Sequence, residues 1–254
     1  MIAKLIVLGS SNAVPSRDHE NTHMALLGPN RTVLIDCVSN PVVRLEQAGI
    51  DPATVTDVVL THFHPDHVSG VPLLLMDLWL MGRRTPLNIY GLHHTLNCVE
   101  TMMGLYGWAD WPNFFVVNFC RVPADEMAVV MDVEDFRVYS SPVKHFLPNI
   151  GLRIEFKSGR KKTLVYSCDT EPCGEVERLA AGADILIHES TGQAPGHSSA
   201  AQAGDAARAA EVGALYLIHY PTGRFAVGDL VSEAKTRFPG EVYLATDFME
   251  IGLE

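Results

Sequence analysis

Short apolar runs bounded by turn-forming residues recur along the chain and alternate loosely with stretches of helical spacing. Residues 5–8 and 32–35 read as strands. Residues 41–48 have helical spacing and stop at Gly49, a C-cap. Residues 57–60 predict a strand that runs into a His-rich turn. Residues 68–81 predict a buried helix closed by Gly82, residues 87–90 a strand, and residues 93–105 a helix. The middle of the chain is different: 126–131, 136–141, 152–156 and 163–167 read as strands with little helix between them. Helices then return at 175–181, 198–212 and 227–238, each followed by a strand, at 185–188, 215–219 and 241–244. Strands in both halves with helices beside them predict a layered α/β protein. There is no Pro-, Gly- or Ser-rich linker, no low-complexity segment and no short-period repeat. Residues 1–254 are therefore expected to form a single domain.

Composition changes this picture little. The chain is 47% hydrophobic and 19% charged, ordinary for a globular protein able to bury a substantial core. Charge changes it more. The formal net charge is −11, whereas proteins that grip nucleic acid usually carry a basic surface. The densest cationic stretch, Gly159-Arg160-Lys161-Lys162, reads as a turn between strands. A large RNA substrate is thereby made less expected. The five cysteines are odd in number and form no C-x-x-C pair, and the first residues read as a strand, with no signal peptide. Free thiols, a reducing compartment and a cytoplasmic location are expected. The apolar run 71–81 is interrupted by Asp77 and is far short of the roughly 18 residues of a membrane helix, so no membrane association is expected.

The densest chemistry lies in Thr61-His62-Phe63-His64-Pro65-Asp66-His67. A turn at a strand end can aim several of these side chains into one cavity, and imidazole and carboxylate are natural ligands for zinc and related divalent ions. Without a metal, the crowding of three His and one Asp has no ready explanation.

The H-x-H-x-D-H pattern resembles the signature of the metallo-β-lactamase superfamily. Further segments follow in that family's order. Val143-Lys144-His145 with Gly151-Leu152-Arg153-Ile154 is similar to its third ligand segment. Tyr166-Ser167-Cys168-Asp169-Thr170 is similar to its bridging-carboxylate segment, where Gly is common in place of Cys168, and Leu217-Ile218-His219-Tyr220 is similar to its last. The resemblance implies a four-layer αββα sandwich with two divalent metal ions at one edge, zinc first and manganese or iron as alternatives. It implies His62, His64, His145 and Asp169 on one ion, and Asp66, His67, Asp169 and His219 on the other. Read alone, His145 is equally a hydrogen-bonded surface residue, Asp169 a helix cap and His219 a strand-end residue. Two cations roughly 3.5–4 Å apart can share a hydroxide and clamp the oxygens of a phosphoryl or carbonyl group, with Asp66 orienting or deprotonating the water.

Other segments resemble the ribonuclease Z branch. These are residues 8–15, then Leu34-Ile35-Asp36-Cys37, whose Asp would brace the His-rich turn, Ile187-His188-Glu189-Ser190-Thr191, and Gly196-His197-Ser198-Ser199. Val38 and Ser39 depart from that branch's small Gly-containing turn. The resemblance implies that Glu189 supports proton handling and that His197 protonates the leaving oxygen, while Ser198 reads as a helix N-cap. Ribonuclease Z also carries a long Gly- and Pro-rich arm between its third ligand segment and the bridging Asp. Here that interval holds only two strands and a turn. The expected activity is hydrolysis of a phosphodiester or related ester in a small molecule, with an armless RNA endonuclease as the alternative. A homodimer built on helix 68–81 is implied by the resemblance. The aromatic-rich segment 102–119 reads equally as a pocket wall, a dimer contact or core. A diiron redox role is disfavoured by His64 and His67 and by the lack of a flavin-binding domain, and a purely binding role by an intact ligand set with Glu189 and His197.

Overall fold

The apolar runs are continuous because both faces of each sheet are covered. In the computed structural model, which describes residues 3–157 and 161–252, Leu5 and Val7 face one buried cluster and Ile6 and Leu8 another, the two-residue period of a strand. In chain order the strands are β1 (Lys4–Gly9), β2 (His23–Leu27), β3 (Thr32–Ile35), β4 (Asp57–Val59), β5 (Leu87–Leu92), β6 (Val117–Val122), β7 (Ala128–Asp132), β8 (Phe136–Pro142), β9 (Ile150–Phe156), β10 (Thr163–Tyr166), β11 (Ile185–Glu189), β12 (Ala214–Ile218), β13 (Glu241–Leu244) and β14 (Glu250–Gly252). They form two seven-stranded sheets, ordered β14-β1-β2-β3-β4-β5-β6 and β13-β12-β11-β10-β9-β8-β7.

Three buried clusters define four layers. The central one joins side chains of both sheets, among them Met24, Ile35, Phe136, Leu152 and Ile187. The second packs the first sheet against α1 (Pro41–Gln47), α2 (Pro65–Val68), α3 (Val71–Leu80) and α4 (His93–Leu105). The third packs the second sheet against α5 (Gly174–Ala180), α6 (Ala200–Ala209) and α7 (Leu230–Lys235). This is the αββα sandwich. Among the described residues no helix is long and apolar enough to cross a membrane.

Several expectations are corrected. The single helix at 68–81 is two: α2 ends at Val68 and α3 starts at Val71, with Pro72, which has no N–H to continue the helical bonds, in its first turn, and Gly70 between them lies against the Val38 backbone, where a Cβ would come within 2.7 Å. The N-cap of α6 is Ser199, not Ser198: the Ser199 side chain accepts from the Gln202 amide and Gln202 reciprocates, a capping box. Three strands were not anticipated. β2 is built of Met, Ala and Leu, which signal a strand weakly; β6 lies in the aromatic-rich stretch; and β14 is only three residues long. Of the expected cationic turn, Gly159 and Arg160 lie outside the described residues.

His23 opens β2 fully buried, its Nδ1–H donating to the Asn21 carbonyl at 2.8 Å and its Nε2 without a partner. Burial pulls its pKa down to about 4. The unfolded chain therefore binds a proton between about pH 6.5 and 4 that the folded chain excludes, and stability falls as pH falls through that window. The loss amounts to at most about 3 kcal/mol. Chemical denaturation of His23→Gln across pH 4–7 is expected to show a flatter acid limb than the parent.

Candidate active site

The strands that carry the candidate residues end together. β10, β11 and β12 are parallel, and β8 points the same way because β9 lies antiparallel between it and β10. In the other sheet β3 and β4 are parallel. Beyond these ends come Asp36 after β3, His62 and His64 after β4, His145 after β8, Asp169 after β10 and His219 after β12, while Glu189 closes β11. The carboxyl ends of parallel strands are where α/β sheets commonly gather ligand-binding groups. Asp36, Cys168 and His219 turn out of their strands with φ of 60°, 54° and 54°. That left-handed conformation suits glycine, which accounts for the preference for Gly at the position of Cys168 and marks local strain at the site.

His62, His64 and His145 form the first set. His62 Nε2 lies 2.9 Å and His145 Nε2 3.2 Å from His64 Nδ1. The second set is Asp66, His67, Asp169 and His219. His67 Nε2 is 3.5 Å from Asp169 Oδ2 and 3.6 Å from Asp66 Oδ2; His219 Nε2 is 3.5 Å from Asp169 Oδ1 and from Asp66 Oδ2. Asp169 also lies within ligand-sharing distance of His145 and His197, between the two sets.

The inward-facing nitrogens of His67, His145 and His219 are oriented by what each ring's other nitrogen does. His67 Nδ1 donates to Asp36 Oδ2 at 2.8 Å, and Asp36 also accepts from the Thr61 amide and hydroxyl. His145 Nδ1 donates to the Gly196 carbonyl at 2.7 Å. His219 Nδ1 donates to Thr191 Oγ1 at 2.8 Å, a hydroxyl that itself donates to the His219 carbonyl. With Nδ1 protonated, Nε2 of each ring carries a lone pair turned inward.

His67 Nε2, Asp169 Oδ1 and His219 Nε2 are buried without a hydrogen-bond partner. Such atoms cost about 1–3 kcal/mol each unless something else satisfies them. Converging lone pairs on imidazoles and carboxylates are the donor chemistry of a divalent cation, so the residues fit metal ions. Burial would lower the His67 pKa, but the Asp169 and Asp36 carboxylates outweigh it and raise it well above its ordinary value, so a proton and a cation compete for its Nε2. Burial and the neighbouring imidazoles hold His62 well below its ordinary pKa. Burial would raise the Asp169 carboxyl, yet His219 and His67 hold it well below the usual carboxylate range.

Glu189 and His197 form a separate pair. Glu189 is fully buried; its Oε1 accepts from the Thr170 amide, His197 Nδ1 and the Ser198 amide at 3.0–3.1 Å, and its Oε2 from the Thr191 amide at 2.9 Å. Burial alone would lower the His197 pKa, but the Glu189 carboxylate outweighs it and holds the ring above its ordinary value. His197 lines a cavity of about 280 Å³ with Asn12, Ala13, His64, Pro65, Asp66, Asp169, Thr191 and His219. No Lys or Arg is among these residues.

Sequence reasoning assigned no role to Thr191, Gly196 or Asp247. Asp247 accepts from the Ser10 amide and hydroxyl, the Glu20 amide and the Arg44 guanidinium, and so ties down the loop that brings Asn12 and Ala13 to the cavity. An isolated Asp between Thr246 and Phe248 carries no signal of this. The Gly196 contribution is a main-chain carbonyl, which any residue has.

The fold and site together define the class. The chain belongs to the metallo-β-lactamase superfamily: the family model described as Beta-lactamase superfamily domain matches residues 31–220. Within the superfamily its likeness is to the ribonuclease Z branch. It is 30% identical to a ribonuclease Z of Methanothermobacter thermautotrophicus, over 96% of this chain and 94% of the relative. That alignment runs over 301 positions, more than this chain contains, so the relative carries insertions absent here. A metallo-β-lactamase fold protein from Bacillus subtilis shares the fold with a TM-score of 0.81, at 23% identity over 99% of both chains. The short form of human tRNase Z does so with a TM-score of 0.79, also at 23% identity over 99% of both. The chain is accordingly an enzyme of the metal-dependent hydrolase class.

Proposed function

We propose that this enzyme hydrolyses phosphodiester or related ester bonds in a small substrate. The observation that carries the reading is the conjunction, in one cavity, of two converging donor sets with a buried Glu–His pair. His62, His64, His145 and Asp169 would hold one divalent ion, and Asp66, His67, Asp169 and His219 a second. Zinc suits these donors best, and manganese or iron also suits them. When bound, such ions supply Lewis acidity and a water that loses its proton near neutral pH. The remaining work falls to the chain. Asp66 Oδ2, facing both His67 and His219, is the group to orient that water and accept its proton. Glu189 keeps His197 Nδ1 protonated and the ring fixed, so Nε2 is the atom that hands a proton to the departing oxygen as the ester bond breaks. Thr191, Gly196 and Asp36 hold the rings of His219, His145 and His67 in register.

Substrate size is argued from the cavity of about 280 Å³, without a cationic lining residue, and from the net charge of −11. Between His145 and Asp169 the chain has only β9, β10 and their connection, with no room for a long arm. A second reading, cleavage of RNA, is favoured by the relative named ribonuclease Z. The proposal also includes a cytoplasmic location and a homodimer through α3, whose end exposes Leu80 and Met81; light scattering tests the dimer.

The deciding experiment gives the zinc-loaded protein bis(p-nitrophenyl) phosphate and, separately, a precursor tRNA, with His64→Ala as control. Turnover of the diester that disappears in the control, with the tRNA intact, is expected. Specific cleavage of the tRNA would replace the small-substrate reading with the second one.

A further inference from the structure

Five phenylalanine or tyrosine side chains are substantially exposed among the described residues: Tyr106, Phe146, Phe225, Tyr243 and Phe248. Three are already engaged. Arg224 lies over the Phe225 ring at 4.8 Å, Arg44 over Phe248 at 4.2 Å, and Tyr243 stacks on Tyr216 at 4.8 Å. Tyr106 ends α4, away from the strand ends that build the site. Phe146 is different. It is 64% exposed, joins none of the three buried clusters, and has neither a cation nor a parallel ring over it.

Phe146 is nevertheless held firmly beside the reaction centre. It follows His145 directly, and its ring centre is 5.2 Å from that of His145 and 6.5 Å from that of His197. One edge rests on Gly196, where φ is +77° and an added Cβ would come within 2.5 Å of Phe146 Cε2. Gly196 is itself fixed: its carbonyl accepts from His145 Nδ1, and its amide donates to Glu171 Oε1 at 2.9 Å. Glu171 in turn pairs with Lys144 at 2.6 Å. The loop thus fixes an apolar ring next to the proton donor and leaves it largely open to solvent. A rigid aromatic surface at a polar site suits a planar π-system, because stacking needs a fixed ring and tolerates varied partners.

We propose that Phe146 is a specificity-determining residue that stacks an aromatic ring carried by the substrate on the side of the leaving oxygen. The inference rests on the assignment of His197 as the proton donor to that oxygen. It narrows the substrate class to esters in which a flat ring, either an aryl group or a nucleobase, lies within stacking reach of the bond that is cut. Phe146 would act mainly on binding, and so on KM more than kcat.

Equilibrium binding tests this without turnover. Calorimetry on the zinc-loaded protein compares phenylphosphonate with methylphosphonate, and uridine 5′-monophosphate with ribose 5-phosphate. At least one aromatic member of these pairs is expected to bind about tenfold more tightly. In Phe146→Leu, which keeps apolar bulk but lacks a ring face, that preference should fall to within about twofold, and in Phe146→Tyr it should persist. The pair whose preference collapses tells an aryl group from a nucleobase. A preference unchanged in Phe146→Leu, or no preference in the parent protein, overturns the proposal. Zinc content equal across the variants shows that the His145 segment is undisturbed. Methyl p-nitrophenyl phosphate then reports the catalytic side: KM should rise about tenfold in Phe146→Leu with kcat within threefold. If the parent binds the aromatic probes selectively yet does not cleave this diester, the hydrolase reading fails and the stacking site stands.

Discussion

Asp169→Asn is expected to abolish hydrolysis while leaving the fold intact. Asp169 is buried between the two imidazole sets and is the one carboxylate proposed for both ions, where its charge would offset the repulsion between two cations. Asparagine keeps the shape and removes the charge, and its one N–H₂ group can face only one of His67 Nε2 and His219 Nε2, because those nitrogens lie against different carboxylate oxygens. The metal-free variant should therefore stay close in stability to the metal-free parent, since one bare acceptor gains a donor while the attraction of the carboxylate for the imidazoles is lost. The loaded variant should lose its second ion. Losing several kcal/mol of charge stabilisation in the transition state corresponds to a rate decrease on the order of 10³-fold or more. Elemental analysis, thermal melts with and without chelator, and diester hydrolysis check the three parts separately. A variant that kept both ions and most of its activity would remove Asp169 from its bridging role.

The second large effect concerns His197 and depends on the leaving group. A general acid contributes roughly 10²–10⁴-fold when the departing oxygen needs a proton. Nitrophenolate leaves readily without one, whereas a sugar or alkyl oxygen does not. His197→Ala should therefore cost little on bis(p-nitrophenyl) phosphate and about 10²-fold or more in kcat on a diester with an alkyl leaving oxygen, with metal content unchanged. Glu189→Gln should reproduce part of that selectivity and also lower stability. It weakens four hydrogen bonds to a buried carboxylate, each worth about 1.5–3 kcal/mol when the acceptor is charged. Equal losses on both substrates would indicate that His197 only shapes the cavity.

Much of this was legible in the residues before any coordinates. The run from His62 to His67 signals itself because several donors are packed into one turn, and the alternation of apolar runs with helices predicted the layered fold. The parts that escaped did so for physical reasons. Pro72 in the first turn of α3 signals the break between α2 and α3 but is masked by the apolar run around it, and the close approach of Gly70 to Val38 is a tertiary distance invisible in a helical pattern. The cap of α6 moved from Ser198 to Ser199 because Ser198 instead donates its hydroxyl to the Thr170 carbonyl at 2.7 Å and its amide to Glu189. Asp247 and Gly196 act through long-range contacts that neither composition nor spacing encodes. Phe146 looked like one more apolar residue beside a histidine, and only its exposure and its seat on Gly196 set it apart.

The central claim is a two-metal centre built by seven side chains, and metal stoichiometry tests it most directly. Protein stripped by chelator and titrated with zinc should bind two equivalents per chain, with hydrolysis of bis(p-nitrophenyl) phosphate rising in step with occupancy, and Asp169→Asn should bind no more than one. Saturation at a single equivalent with full activity, or hydrolysis that persists in the stripped protein, would contradict it.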